Sequence, residues 1–199
     1  MRATTARPQR PQRMLRIIGG QWRGRKIHFP ALDIRPTPDR VRETLFNWLQ
    51  TRIQGARCLD LFAGSGALGL EALSRGAAEV VFVEQQRAAS VAIERLLAQW
   101  PVAGRARVLC TEAQRYLSGH TPSAFDLVML DPPYASGEIA AAARALERGW
   151  LASDARIYIE HARGESLPAL PAPWHELRAG TAGAVGYHLY QSGQTGASA

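Results

Sequence analysis

The pattern of apolar and polar positions changes character along this 199-residue chain. Between Met14 and Pro30, Leu15, Ile17 and Ile18 precede the turn formers Gly19-Gly20, and Trp22, Ile27 and Phe29 follow, with arginines interspersed. That arrangement predicts a small β-hairpin. Arg35-Pro36-Thr37-Pro38-Asp39 then reads as a helix start, with Thr37 as N-cap, Pro38 in the first turn and Asp39 favourable to the helix dipole. Val41, Leu45, Trp48 and Leu49 recur at helical spacing and predict one apolar face through about Gln50.

From Arg57 onward strand and helix patterns alternate. Strands are predicted over 58–62, 79–84, 107–110, 125–130 and 156–160, and helices over 67–75, 88–99, 113–117 and 139–148. Such alternation implies an α/β fold, a mostly parallel sheet covered by helices on both faces. Two late strands, about 175–178 and 186–191, have little between them but Gly180 to Gly183, which predicts a closing hairpin and one antiparallel strand.

The length suits one domain with a real core. No stretch approaches the roughly 18 apolar residues that span a bilayer. The N-terminal residues carry arginines but no apolar centre, so they do not form a secretory signal. A cytoplasmic location is the default expectation. Cys58 and Cys110 fall in predicted strands about two strand spacings apart, roughly 9–10 Å, too far for a disulfide. Both read as buried thiols. The histidines and cysteines lack metal-ligand spacing, so no metal is expected.

Charge changes the picture more than composition does. Residues 1–42 hold ten arginines, Lys26 and two aspartates, a net +9, whereas the whole chain is +7. The remainder is therefore mildly acidic, and the basic character belongs to the N-terminal fifth. A block of this kind is an electrostatic footprint for a polyanion.

Two motifs carry chemistry. Gly64, Gly66 and Gly69 spell G-x-G-x-x-G where the first strand of the alternating region meets its helix, and Glu84 ends the next strand. This pairing fits an adenosine-containing cofactor, either NAD or S-adenosylmethionine. Asp60 separates them. An acid four residues before Gly64 suits a cationic sulfonium and amine and would repel a diphosphate. The second motif, Asp131-Pro132-Pro133-Tyr134, follows the apolar run 125–130. A carboxylate and a proline-held carbonyl can both accept hydrogen bonds from a planar –NH2, and Tyr134 offers a face on which a base can stack. On these residues alone the candidates are an amino-methyltransferase acting on a nucleobase of RNA or DNA, an NAD(P)-dependent oxidoreductase, and a non-catalytic RNA-binding protein.

The chain resembles class I S-adenosylmethionine-dependent methyltransferases of the amino-nitrogen type, whose signature is D-P-P-Y. It resembles more closely the RsmD family, the bacterial 16S ribosomal RNA guanine-N2 methyltransferases. The resemblance is carried by R-I-I-G-G-Q-W-R-G-R-K (16–26), R-P-T-P-D-R-V-R-E-T-L-F-N-W-L (35–49), C-L-D-L-F-A-G-S-G-A-L-G-L-E-A-L-S-R-G-A (58–77) and D-P-P-Y (131–134), and spans about residues 14–192. It implies a seven-stranded Rossmann-like sheet with one reversed strand. It also implies S-adenosylmethionine as cofactor, held by Asp60, Phe62, Gly64, Ser65, Gly66, Glu84, Glu112 and Ala113, with Asp131, Pro132, Pro133 and Tyr134 forming the catalytic segment. Glu112 departs from the Asp or Asn that related enzymes carry before Ala.

The implied partner is 16S ribosomal RNA within an assembling or assembled small subunit, bound by a monomer. Arg16, Arg23, Arg25, Lys26, Arg35, Arg40 and Arg42 are the expected phosphate contacts. The expected organisation is a disordered basic tail (1–13), an RNA-binding hairpin and helix (14–52), a methyltransferase domain (53–192) and a frayed end (193–199).

Overall fold

The computed structural model of the protein describes residues 12–30, 37–102, 104–134 and 136–193. Residues 1–11 of the expected tail, Arg35 and the last six residues of the expected frayed end lie outside the described residues, whereas Gln12 and Arg13, expected in the tail, belong to the first strand. The chain opens with β1 (Gln12–Arg16) and β2 (Lys26–Pro30), which pair antiparallel with Leu15 opposite Ile27 and Arg16 opposite Lys26. Alternation puts Leu15, Ile27 and Phe29 inside and Met14, Arg16, Lys26 and His28 outside. Next come α1 (Asp39–Trp48), β3 (Arg57–Asp60), α2 (Ala67–Ser74), β4 (Glu79–Val83), α3 (Arg87–Ala98), β5 (Ala106–Leu109), α4 (Ala113–Gly119), β6 (Phe125–Leu130), α5 (Glu138–Leu146) and β7 (Leu151–Ala162). The described chain closes with β8 (His175–Ala182) and β9 (Val185–Gln191).

Seven strands form one sheet in the order β5-β4-β3-β6-β7-β9-β8. The first five are parallel, and β9 runs antiparallel to both its neighbours. The expected α/β sheet with one reversed strand is therefore present. Because the central strands are covered on both faces, they read as continuous apolar runs. Their side chains divide between two cores. Cys58, Val80, Phe82, Leu127 and Met129 pack with α1, α2, α3 and the N-terminal hairpin. Leu59, Val81, Val83, Val128 and Leu130 pack on the other face with α4 and α5. The order reverses between β3 and β6, which opens a crevice at the carboxyl ends of those strands.

The hairpin differs from its sequence reading. Gly19-Gly20 is not a two-residue turn. The strands end at Arg16 and resume at Lys26, and a short 3-10 turn (Gly20–Trp22) lies between them. The glycines serve a close approach to α2 instead. Gly20 has φ +75°, and a Cβ there would collide with the Ser74 carbonyl. Ser74 Oγ donates to the Gly19 carbonyl at 2.6 Å, and the Ile18 and Gly19 N–H groups donate to the Glu71 carboxylate at 2.9 and 2.7 Å. Trp22 is buried against Trp100, with ring centroids 4.7 Å apart. The hairpin thus shares a core with the sheet.

Arg42 is a second correction. It was expected among the phosphate contacts, yet it is 0% exposed. Its guanidinium donates to Glu71 Oε2 at 3.4 Å, Asp39 Oδ1 at 2.6 Å and the Arg16 carbonyl at 2.9 Å. A buried carboxylate at Glu71 needs a partner, and Arg42 and Arg75 supply it. Cys110 is likewise not the buried thiol expected, because it sits past the end of β5 and is exposed; Cys58 is buried, which pushes its thiol pKa up. No helix among the described residues is long and apolar enough to cross a membrane.

Candidate active site

The carboxyl ends of β3, β4 and β6 surround a cavity of about 250 Å³. Asp60, Phe62, Gly64, Ser65, Glu84, Ala113, Asp131, Pro132, Pro133 and Tyr134, all singled out by sequence, line it. Gly66 does not. It is buried at the N-cap of α2 with φ +77°, where a Cβ would press on Ile93 and Leu70. Its role is the turn itself. Gly69 stands inside α2, where a Cβ would run into the Phe82 ring, so it lets helix and strand pack closely. Glu112 is also absent from the wall. It is exposed and precedes α4, while Thr111 and Ala113 on either side line the cavity.

The glycine loop is braced by acids. Asp60 Oδ2 accepts the Gly69 N–H at 2.9 Å. Glu84 Oε2 accepts the Gly64 N–H at 2.7 Å, and its Oε1 accepts the Gln86 N–H at 2.6 Å. In a dinucleotide site, N–H groups of such a loop would face a pyrophosphate. Here protein carboxylates already take these two. Among the described residues the cavity wall includes Asp60, Glu84, Asp131 and Glu138 and no Lys, Arg or His. That lining suits a ligand bearing sulfonium and ammonium charges and disfavours a diphosphate, so the residues fit S-adenosylmethionine and not NAD.

Burial raises the pKa values of these acids. Burial pushes Asp60 up to about 7; the Gly69 N–H offsets part of this, while Asp131 and Glu84 add to it. Burial also pushes Asp131 up to about 7, opposed by a hydrogen bond from Thr37. Asp131 keeps some exposure to the cavity, but the surrounding walls strip most of its hydration. Glu84 is raised by burial, offset by the Gln86 and Gly64 N–H groups. Burial and the nearby Asp131 hold Glu160 well above the usual carboxylate range.

Three groups at the site escaped the sequence reading. Thr37 was expected to cap α1, but Pro38 is the N-cap and the Thr37 hydroxyl turns to Asp131 Oδ2 at 3.2 Å. Glu160 and Tyr158 face this cluster from β7, with the Tyr158 hydroxyl donating to Glu160 Oε1 at 2.8 Å. No spacing rule links positions this far apart in sequence. A second cavity of about 360 Å³ shares Pro132, Pro133 and Tyr134 with the first and is lined beyond them by Ile139, Glu160 and His161. Among the described residues, Tyr134 and Met14 are the exposed large apolar side chains.

The basic residues divide into three groups. Arg16, Arg23, Arg25 and Lys26 on the hairpin and Arg40 in the first turn of α1 are exposed; Arg42 is buried; Arg35 lies outside the described residues. Arg25 also stacks over Trp100, 5.6 Å from the ring centroid.

Comparison with known proteins identifies the family. The family model described as "Conserved hypothetical protein 95" matches residues 15–191. Ribosomal RNA small subunit methyltransferase D of Escherichia coli (strain K12) is 49% identical over 187 residues, covering 92% of this chain and 93% of that protein. The protein of the same name from Haemophilus influenzae is 41% identical, covering 89% of this chain and 94% of its own length. Among solved structures, the E. coli protein yhhF, described as a methyltransferase, superposes with a TM-score of 0.82 at 46% identity, covering 90% of this chain and 98% of that one. An RNA methyltransferase from Salinibacter ruber, solved with S-adenosyl-L-homocysteine, shares the fold with a TM-score of 0.60 at 14% identity, covering 80% of this chain and 95% of that one. The chain belongs to the "Conserved hypothetical protein 95" family, the RsmD family of class I S-adenosylmethionine-dependent methyltransferases.

Proposed function

We propose that this enzyme methylates the exocyclic N2 of a guanine in 16S ribosomal RNA, on an assembling or assembled small subunit, acting as a monomer. The observation that carries the reading is the meeting of Asp131 and Asp60 in one acid-lined cavity with Tyr134 at its edge. The relatives named for ribosomal RNA of the small subunit support the substrate class. When bound, S-adenosylmethionine supplies a methyl carbon made electrophilic by its sulfonium charge.

The chain's own residues do the rest. Asp60 at the end of β3 would face the cationic part of the cofactor, and Glu84 just past β4 would take its ribose hydroxyls. Asp131 accepts an N–H of the amine, aims the nitrogen, and stabilises the positive charge that grows on it during attack. The amine proton leaves late, to Asp131 or water. Tyr134 stacks on the base, which must first leave its own stack. The second cavity, across Pro132 to Tyr134, offers room for the ring of a base whose amine enters the first.

Incubation with radiolabelled S-adenosylmethionine and small subunits lacking the modification is expected to label N2-methylguanosine in 16S RNA, detected by nucleoside mapping. A label on adenine or cytosine, or none, would overturn the reading. The exposed cations of the hairpin are proposed to hold phosphates without reading sequence. Replacing Arg23, Arg25 and Lys26 together is expected to lower RNA affinity and to reduce the slope of log affinity against log salt by about 2–3. Calorimetric affinity for S-adenosylhomocysteine should stay nearly unchanged. RNA binding that survives the triple replacement at physiological salt would remove the hairpin from the interface.

A further inference from the structure

The N-terminal region touches the catalytic pocket at Thr37. This residue lies just before α1 and is 6% exposed. Its hydroxyl donates to Asp131 Oδ2 at 3.2 Å, across 94 residues of sequence. A threonine in this position ordinarily serves the helix end. Here the helix does without it: Pro38 is the N-cap, no side chain caps the terminus, and the hydroxyl is committed to the pocket. The groups facing Asp131 are Asp60 from β3, Glu160 and Tyr158 from β7, and Thr37. Tyr158 spends its hydroxyl proton on Glu160, and the Thr37 hydroxyl faces Glu160 as well as Asp131. The hydrogen bond described for the Asp131 side chain is therefore the one from Thr37.

We propose that Thr37 is a positioning residue for methyl transfer: it holds Oδ2 of Asp131 and leaves Oδ1 turned toward the substrate amine as an acceptor. The inference rests on the reading of Asp131 given above. Two physical effects combine. A carboxylate with one oxygen anchored loses a rotational freedom that would otherwise scatter its free oxygen. A donor on the carboxylate also favours the ionised form, which accepts an N–H, over the protonated form, which presents a hydrogen to it. Burial works against ionisation at this site and Thr37 works for it. The same residue joins the basic N-terminal region to the reacting centre, because α1, with exposed Arg40, begins two residues later.

The test is the pH dependence of kcat/KM for RNA at saturating cofactor in Thr37→Val, Thr37→Ser and Asp131→Ala. Without its donor, Asp131 ionises at higher pH. The acid limb of Thr37→Val is expected to move up by about one pH unit relative to the parent. With the parent group half ionised near pH 7, that shift lowers activity about fivefold at pH 7 and leaves it nearly normal at pH 9. Thr37→Ser keeps the hydroxyl and is expected to restore the parent profile. S-adenosylhomocysteine affinity and melting temperature serve as folding controls and are expected to stay close to the parent. A Thr37→Val enzyme with an unshifted profile, or one slowed equally at every pH, would overturn the proposal while Asp131→Ala remained dead. An active Asp131→Ala enzyme would instead overturn the role of Asp131, and this inference with it.

Discussion

Replacing Asp131 with Asn is expected to slow methyl transfer by about 10²–10⁴-fold while the cofactor still binds. The size follows from what the carboxylate does. In the proposed reaction it accepts the amine's hydrogen, offsets charge on the nitrogen as the new bond forms, and stands ready for the departing proton; each such role is worth about 10²–10³ or more. The amide has the same shape, but it keeps a single acceptor oxygen, cannot take a proton at neutral pH, and carries no compensating charge. The other acids proposed to face the cofactor, Asp60 and Glu84, are held in place by the backbone N–H groups of Gly69, Gly64 and Gln86 rather than by Asp131. Single-turnover transfer of a labelled methyl group, read beside calorimetry with S-adenosylhomocysteine, checks both halves. Activity within tenfold of the parent would mean that the amine is held elsewhere.

Replacing Arg42 with Ala is expected to lower stability by about 3 kcal/mol, the lower end of the cost of stranding one partner of a buried ion pair. The lower end applies because Glu71 would keep Arg75 at 2.8 Å and two backbone N–H donors. Loss of Arg42 also leaves Asp39 with only the longer contact to the Arg16 guanidinium and the Arg16 carbonyl without its side-chain donor, which loosens the hairpin against α1. For a chain of this size the melting temperature should fall by roughly 6–12 °C. RNA affinity measured well below that temperature, and its salt slope, should match the parent, since Arg42 is closed off from solvent. Unchanged stability with weakened RNA binding would restore Arg42 to the interface.

The contrast between Arg40 and Arg42 marks the limit of reading charge from sequence. Both belong to the basic block, two positions apart, and one is exposed while the other is buried. A helix turns about 200° in two residues, so the two necessarily face different ways. Which way is inward depends on Glu71, a residue of α2 that periodicity marks only as another helical position. The Gly19-Gly20 pair makes the same point. Two glycines before an apolar-basic run are a sound turn signal, but these are needed for contact with Ser74 and Glu71.

Element type and order were open to sequence reading because they depend on near neighbours. Strands covered on both faces must be apolar throughout, and amphipathic helices must repeat every three to four positions. Asp60, the glycine loop, Glu84 and D-P-P-Y were legible for a related reason: each sits at a strand's carboxyl end, where an open parallel sheet binds its ligands. Other features arose only when distant segments met. Folding turned Thr37 from a helix cap into a partner of Asp131, enclosed Arg42 beside Glu71, and brought Glu160 and Tyr158 close to Asp131. Burial and hydrogen-bond partnership between residues tens of positions apart are set by packing of the whole chain, and no local pattern of residues encodes them.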